Sequence, residues 1–576
     1  MRPQATIFLL LALLAAASVA GCAPKYYAED ADKQVYALLR ASHEEEFGRG
    51  RNFSIAGGPA GNVGRSAAEI LGELPLAEPV PEWLAESELA RLPGPVRQID
   101  LAAALRLAWK NSRQYQTKKE TVYLAGLALS TQIHSFENIY ALSGGASRRI
   151  AGAEPDRYRT LNTQADFSVT RDLITGATIA LDVGLTGVKY INHELGTTLQ
   201  SALGLTVTQP LWRGADRRVV LNNLTQAEHN VFYALRTFAR YEKSLAIDIA
   251  SSYYRVLVQL DRVKNQWNNY QNLIAARKRN EQLADEGRLK PLEVDQARQS
   301  ELAAHNSYLV AVQSYETSLD AFRVKLGVPT DAPVVLSRGP LEELATQEPR
   351  AVDCPSERAV ALALERRLDL KNNRGGIQDA DREIVVAGDA LKGDVNLVAQ
   401  MNVTSTPNTR AGRFLFHEGL YEFGLELDLP LERLSERNAL RAAMIAGDAA
   451  IRDYMDLVDG IKQDVRGSLR ELRRTVESVK IQKASVELAR RRVAGTRAEL
   501  EWDRATTRDL LESQDALVTA ENAYSEALAA HKTAWLNLLL DLEMLEVDQQ
   551  GQVHEGDVYG TLNSTTSVPT GNAGSK

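Results

Sequence analysis

The chain has 576 residues, 67 basic and 75 acidic side chains, and a formal net charge of -8. That balance argues against a nucleic-acid binder whose affinity comes from neutralising phosphates. Two cysteines, Cys22 and Cys354, are too few for a disulfide framework, and the eight histidines show no HExxH spacing, phosphate loop or nucleophile elbow around them, so an enzyme or a metal site finds no support.

At the N-terminus Arg2 precedes an apolar run from Ile7 to Ala17 and the small residues Ser18, Val19, Ala20 and Gly21 before Cys22. The run has the length of a signal-peptide core and is too short to cross a bilayer as a stable helix. An ordinary secretory cleavage after Ala20 fits these residues. Val19 to Cys22 also resembles the lipobox of bacterial lipoproteins, with Val19 where Leu is more usual; this implies export, removal of residues 1–21 and covalent lipid on Cys22. Several acyl chains make a stable anchor, each buried methylene contributing about 0.8 kcal/mol. Ala23, rather than Asp, follows the cysteine, which in that family favours delivery to the outer membrane. No later run of about 18 apolar residues occurs, so any further passage through a membrane is by strands.

From residue 22 to 98 glycines (Gly57, Gly58, Gly61, Gly64) and prolines (Pro75, Pro79, Pro81, Pro93, Pro95) predict a largely irregular arm. From Ile99 to about Phe136 the pattern predicts a helix, with Leu101, Leu105 and Ala108 on one stripe. Between Ile139 and Leu211 the period becomes two: Ala165, Phe167 and Val169, then Ile179, Leu181, Val183 and Leu185, then Leu203, Leu205 and Val207 alternate with polar or small residues. A helix of roughly 100 Å is then predicted to Asp285. Its seam, Ile249, Tyr253, Val256, Leu260, Val263, Trp267, Tyr270 and Ile274, advances in steps of four and three. Gly287 breaks it, Pro291 suits the first turn of the return helix, and Gly327 and Pro329 end that helix.

After a linker at 331–355 the same events recur over 356–547. A helix from Ser356 to Lys392 leads to alternation through Leu397, Ala399, Met401 and Val403 and then Tyr421, Phe423, Leu425, Leu427 and Leu429. A long helix with the seam Val465, Leu469, Leu472, Val476 and Val479 follows, with a break at Asp503 to Thr507 and a return to about Leu542. Gln209, Pro210 and Leu211 correspond to Leu429, Pro430 and Leu431, and Leu105 to Leu362. Proline ends the ladder at both junctions, because it has no N–H to donate. A period of about 220 residues is too long for a solenoid and indicates duplication of one unit, 99–330 and 356–547. Residues 548–576 read as a disordered tail.

Over Ile99 to Val547 the sequence resembles the TolC-like outer membrane efflux protein family. The carriers are the junctions Leu205–Leu211 and Leu425–Leu431, Arg367, Leu368, Asp369 and Leu370 opening a helix, Glu286, Gly287 and Pro291 to Val294, and Thr507 to Glu512. The resemblance implies an α+β membrane protein. Long antiparallel coiled-coil helices and a few strands per subunit, four in the family, form a trimeric, shared 12-stranded β-barrel continued by a periplasmic α-helical barrel. The surplus alternating residues between Ile139 and Gln200 are expected to lengthen the first copy's strands or their outer loop. The family partners are a periplasmic adaptor (membrane fusion) protein and an inner-membrane transporter; outer-membrane lipid surrounds the barrel, and no cofactor is implied beyond the covalent lipid. Glu422, Glu426 and Asp428 would face the lumen as acidic rings, although the wet face of any strand would carry them equally well. Gly287, Arg288, Pro291, Asp503, Arg504, Thr507, Arg508 and Asp509 would lie at the periplasmic tips, as adaptor contacts or an ion-paired gate; Asp503 stands where the family often has glycine. The other reading is a coiled-coil structural or interaction lipoprotein of the periplasm with no pore. It accounts for the helices but leaves the strands without a purpose.

Overall fold

A computed structural model describes residues 24–56, 67–72, 74–91, 95–152, 158–191, 197–349, 351–352, 354–406, 413–502, 504–548 and 553–555. Cys22, Asp503 and the stretch 556–576 lie outside the described residues. The elements used below are, in chain order, α1 (Pro24–Phe47), β1 (Arg97–Ile99), α2 (Leu101–Asn111), α3 (Arg113–His134), β2 (Ile139–Ala151), β3 (Tyr158–Asp172), β4 (Thr178–Tyr190) and β5 (Thr197–Pro210). There follow α4 (Asn222–Asp285), α5 (Pro291–Leu326), β6 (Val334–Leu336), α6 (Gly339–Thr346), α7 (Ser356–Arg366), α8 (Leu368–Asp389), β7 (Asp394–Thr404), β8 (Leu420–Asp428), α9 (Leu434–Glu501), α10 (Thr507–Asp541), β9 (Leu545–Val547) and β10 (Val553–Glu555).

The duplication is visible in lengths. Each copy opens with an 11-residue helix and a 22-residue helix separated by one residue, Ser112 in the first and Arg367 in the second. The hydrophobic pattern read each pair as one helix; only at Arg367 did the resemblance have a helix opening. Aligning the breaks sets Leu105 against Val360, not Leu362, and both are buried. The hydrophobic stripe alone left that register ambiguous by half a turn.

The chain divides into two compact units. The first comprises 1–54, 121–236 and 371–455. Its centre is one antiparallel sheet in the order β2-β3-β4-β5-β7-β8. Four strands come from the first copy and two from the second, so the sheet has six strands where four were expected: the surplus residues form a complete extra hairpin. At the β3–β4 turn the Leu173 amide donates to the Ala177 carbonyl (2.8 Å) and Gly176 takes φ +82°. A Cβ on Gly176 would lie 2.5 Å from the Gly214 carbonyl oxygen, so glycine is required there twice over.

Beside the sheet's helices lies α1, which corrects the expectation of an irregular arm. Val35 and Leu39 are buried, and Gly126 of α3 lets them approach so closely that a Cβ there would sit 2.7 Å from Val35 Cγ1. The Tyr123 hydroxyl donates to Asp32 (2.7 Å), and the Arg236 guanidinium forks onto Glu46 at 2.8 and 2.6 Å. Tertiary docking, not an apolar stripe, makes this helix. Nearby, Asp379 of α8 accepts from the Tyr233 hydroxyl (2.7 Å) and meets His229 Nδ1 (2.6 Å) and Arg382 (3.0 Å). Burial opposes ionisation of Asp379, but hydrogen bonds from Tyr233, His229 and Gln226 outweigh it and hold the carboxyl below its ordinary range.

The second unit comprises 55–120, 237–370 and 456–576. The linker carries elements of its own: β6 pairs in parallel with β1, and α6 follows. The Tyr253 hydroxyl donates to the Ser337 carbonyl (2.7 Å), tying this sheet to the α4 seam. Ile249, Tyr253, Val256, Leu260 and Val263 are buried, as are Val465, Leu469, Leu472, Val476 and Val479 of α9. Further along α4 the buried stripe moves to Asn269 and Leu273, while Trp267 packs at a tilt against Tyr308 and Tyr270 stacks on His305. Cys354 is buried. At the tail, His554 and its neighbours form β10 against β9, so order extends past Val547.

Two helix ends in this unit share one geometry. Val328 N–H bonds the Arg323 carbonyl and Gly327 N–H that of Val324, with Gly327 at φ +70°. The Met544 and Glu543 amides do the same to Leu539 and Leu540, with Glu543 at φ +55°. Glu543 occupies a place that suits glycine, and its carboxylate is paired with Arg240 (2.6 Å) and Lys243 (2.9 Å). Arg367, at the helix break, pairs with Asp369 (2.7 Å) and Asp464 (3.4 Å) while 6 % exposed. That burial gives a physical reason for an Arg-x-Asp-Leu element at this position.

Candidate functional site

Two places carry the predicted site residues: the sheet in the first unit and the turns at 285–291 and 502–509 in the second. Among the described residues no cluster of metal-ligating side chains occurs, and no helix is long and apolar enough to cross a membrane.

Residues directly opposite in adjacent strands share a face, so the register assigns the whole sheet. Tyr421 lies opposite Met401, Met401 opposite Leu205, Leu205 opposite Leu181, Leu181 opposite Val169 and Val169 opposite Tyr140. The next row on the same face is Val403, Leu203, Val183, Phe167 and Leu142. Phe423 and Leu425 are 76 % and 63 % exposed, and Tyr140 and Leu142 are 65 % and 60 %. This is a contiguous apolar face with none of the described residues over its outer strands, far beyond the scattered exposure of a soluble protein.

The opposite face carries the predicted acids. Glu422 lies opposite Gln400, Glu426 opposite Asn396 and Asp428 opposite Asp394. All three strand acids therefore stand on the polar side, as the alternation indicated. Asp394 escaped notice. Two carboxylates directly opposite repel, and Arg213 lies 3.3 Å from Asp394 to offset this. Pairing across strands is invisible in a single strand's pattern; only the cationic loop at Arg213, next to the strand end, hinted at it.

At the first turn Gly287 takes φ +74°, the Arg288 amide bonds the Leu283 carbonyl and the Gly287 amide that of Ala284, a six-to-one and five-to-two pair that terminates α4. Pro291 then opens α5. Arg288 lies 3.7 Å from Glu286 of its own turn, both exposed. At the second turn the Arg504 amide bonds the Glu499 carbonyl, and Thr506 caps α10. Asp509 completes the capping box, accepting from the Thr506 amide (2.9 Å) and hydroxyl (2.6 Å). The Thr506 hydroxyl and amide hold its carboxyl below the ordinary range. Thr507 accepts from Asn280 of α4 (3.3 Å), joining the two hairpins near their ends. Of the charges expected to pair as a gate, Arg288, Asp503, Arg504, Arg508 and Asp509, Asp503 lies outside the described residues, Asp509 serves the helix cap and Arg288 sits by Glu286. Trp502, 75 % exposed, and Leu292, 65 % exposed, flank these turns; Trp502 was not singled out from sequence, and Leu292 only as a carrier of the resemblance.

The fold is that of outer-membrane channel subunits. It matches the outer-membrane channel OprN with a TM-score of 0.56 and 15 % identity, over 77 % of this chain and 89 % of that one. The CmeC outer membrane channel of Campylobacter jejuni matches with a TM-score of 0.57 and 13 % identity, over 77 % and 85 %. CusC, whose crystal structures concern transmembrane channel formation, matches with a TM-score of 0.57 and 13 % identity, over 82 % and 99 %. No curated protein matches the sequence significantly. Residues 359–540 match the family model for the outer membrane efflux protein.

Proposed function

We propose that this chain is the outer-membrane subunit of a tripartite efflux or type I secretion system, a passive conduit from periplasm to exterior. The observation that carries the reading is the sheet: one face continuously apolar and uncovered at its outer strands, the other polar, and both edges lacking a partner among the described residues. Open sheet edges do not survive in hydrocarbon, so such a sheet enters a membrane only when closed by further copies. By resemblance the assembly is a homotrimer. The row through Tyr421 and Phe423 meets lipid and the row through Glu422, Glu426 and Asp428 meets the lumen, where repeated carboxylates favour cations over anions.

In this assembly Cys22 carries the lipid anchor in the outer membrane, and the helices extend into the periplasm. The turns at Gly287–Pro291 and 503–509 are the tips that meet the adaptor and, through it, the inner-membrane transporter. Trp502 and Leu292 supply exposed apolar surface there for helical hairpins of a partner. No residue acts chemically on the cargo; selectivity comes from lumen charge and width. The test is cell fractionation followed by native mass measurement in detergent. The reading expects an outer-membrane trimer, and a periplasmic monomer would contradict it.

A further inference from the structure

The first copy contributes twice as many strands as the second, and the surplus hairpin is built like the rest of the wall. All 13 residues of β2 pair with β3, which in turn pairs through Thr160–Asp172 with β4. The apolar rows do not stop where four strands would: from Met401 and Leu205 they pass through Leu181 and Val169 to Tyr140, and from Val403 to Leu142. Tyr140 and Phe167 stack at 6.5 Å on this face. On the other face Ser143, Asp166 and Gly184 continue the polar rows. A flap lying in water would have no need of this alternation; its exposed Tyr140, Leu142 and Phe167 would each bear the cost of hydration.

We propose that all six strands stand in the barrel wall, with the free edge of β2 in one copy paired to the free edge of β8 in the next. Three copies then close a barrel of eighteen strands. The inference rests on the conduit reading above and adds its dimension. Barrel diameter grows roughly linearly with strand number, so the wall is about 1.5 times wider than one of twelve strands, in the size range that leaves an open aqueous channel. The passage through the outer membrane then suits a bulky cargo, such as a polymer or a secreted polypeptide, and does not constrict transport.

The test places single cysteines at Leu142 (β2) and Phe423 (β8) in a Cys354→Ala background. Each is labelled with an environment-sensitive fluorophore and reconstituted in vesicles containing lipid-borne quenchers. The proposal expects both labels to be blue-shifted and quenched to a similar extent. Quenching at Phe423→Cys without quenching at Leu142→Cys would overturn the eighteen-stranded wall and leave the conduit standing; no quenching at either would overturn the conduit itself. Should Leu142→Cys fail to fold, Phe167→Cys reports on the same hairpin. Closure is read separately, by pairing Gly144→Cys with a cysteine scan over 420–428. Disulfide-linked ladders ending at three copies are expected; no link anywhere in the scan, or a ladder ending at two, would refute it.

Discussion

Gly327→Ala tests whether the repeat is packed as described, because two glycines of the same backbone conformation differ only in their surroundings. At Gly327 an added Cβ would lie 2.1 Å from the Asn111 carbonyl oxygen and 2.6 Å from its carbonyl carbon. At Gly287, with φ +74° against +70°, nothing lies within 4 Å. The left-handed conformation costs an L-residue about 1–2 kcal/mol at either site. Only at Gly327 must the end of α2 also retreat by about 1 Å, and Asn111 and Ala108 there are buried, so overpacking adds about 1–3 kcal/mol. Gly287→Ala should therefore lower stability by about 1–2 kcal/mol and Gly327→Ala by about 2–5 kcal/mol. Denaturant unfolding in detergent, followed by circular dichroism and tryptophan fluorescence, reads the difference. Equal losses for the two variants would refute the seating of α2 against the end of α5.

At the equivalent helix end, Glu543→Ala loses both ion pairs and keeps the left-handed backbone, whereas Glu543→Gly loses the pairs and relieves the backbone; the glycine variant should be more stable by about 1–2 kcal/mol in the same assay. Asp379 has a depressed folded-state pKa, so its stabilising contribution is present above the unfolded carboxylate pKa and is lost as pH falls through the folded value. Asp379→Asn should flatten the acid limb of stability below about pH 4, and an unchanged limb would contradict the network around it. Glu422→Gln combined with Glu426→Gln should reduce cation preference in reversal-potential measurements; an unaltered potential would remove these acids from the lumen. Cys22→Ser should abolish palmitate labelling and release the protein from its anchor, and persistent labelling would place the lipid elsewhere.

Much of the fold was legible because its elements are long and periodic. The α9 seam and the α4 seam as far as Val263 hold where predicted, the Gly287–Pro291 turn does what those two residue types do best, and Pro210 closes β5 as its missing donor requires. What escaped depends on partners. β2 carries Gly144, Gly145, Ser147, Arg148 and Arg149, so its own alternation is diluted; its place on the apolar face emerges only through its register with β3. α1 has no strong stripe and is stabilised by a groove that Gly126 opens on α3. The Ser112 and Arg367 breaks are single residues inside continuous periodicity, and at Arg367 the buried ion pairs, rather than a proline or glycine, accompany the break. Of the candidate site, the register sets Glu422, Glu426 and Asp428 on the face of the sheet opposite Tyr421 and Phe423. At the tips the capping role of Thr506 and Asp509 was not read from sequence, although it is a local interaction that needs no second chain.

The central claim, that this sheet closes into a conduit, is tested most directly by reconstituting the purified protein in a planar bilayer. The account predicts discrete conductance steps, cation-preferring, that scale with the number of inserted oligomers and pass neutral polymers too large for a twelve-stranded barrel. A stable trimer that inserts into the bilayer yet yields no steps would contradict it.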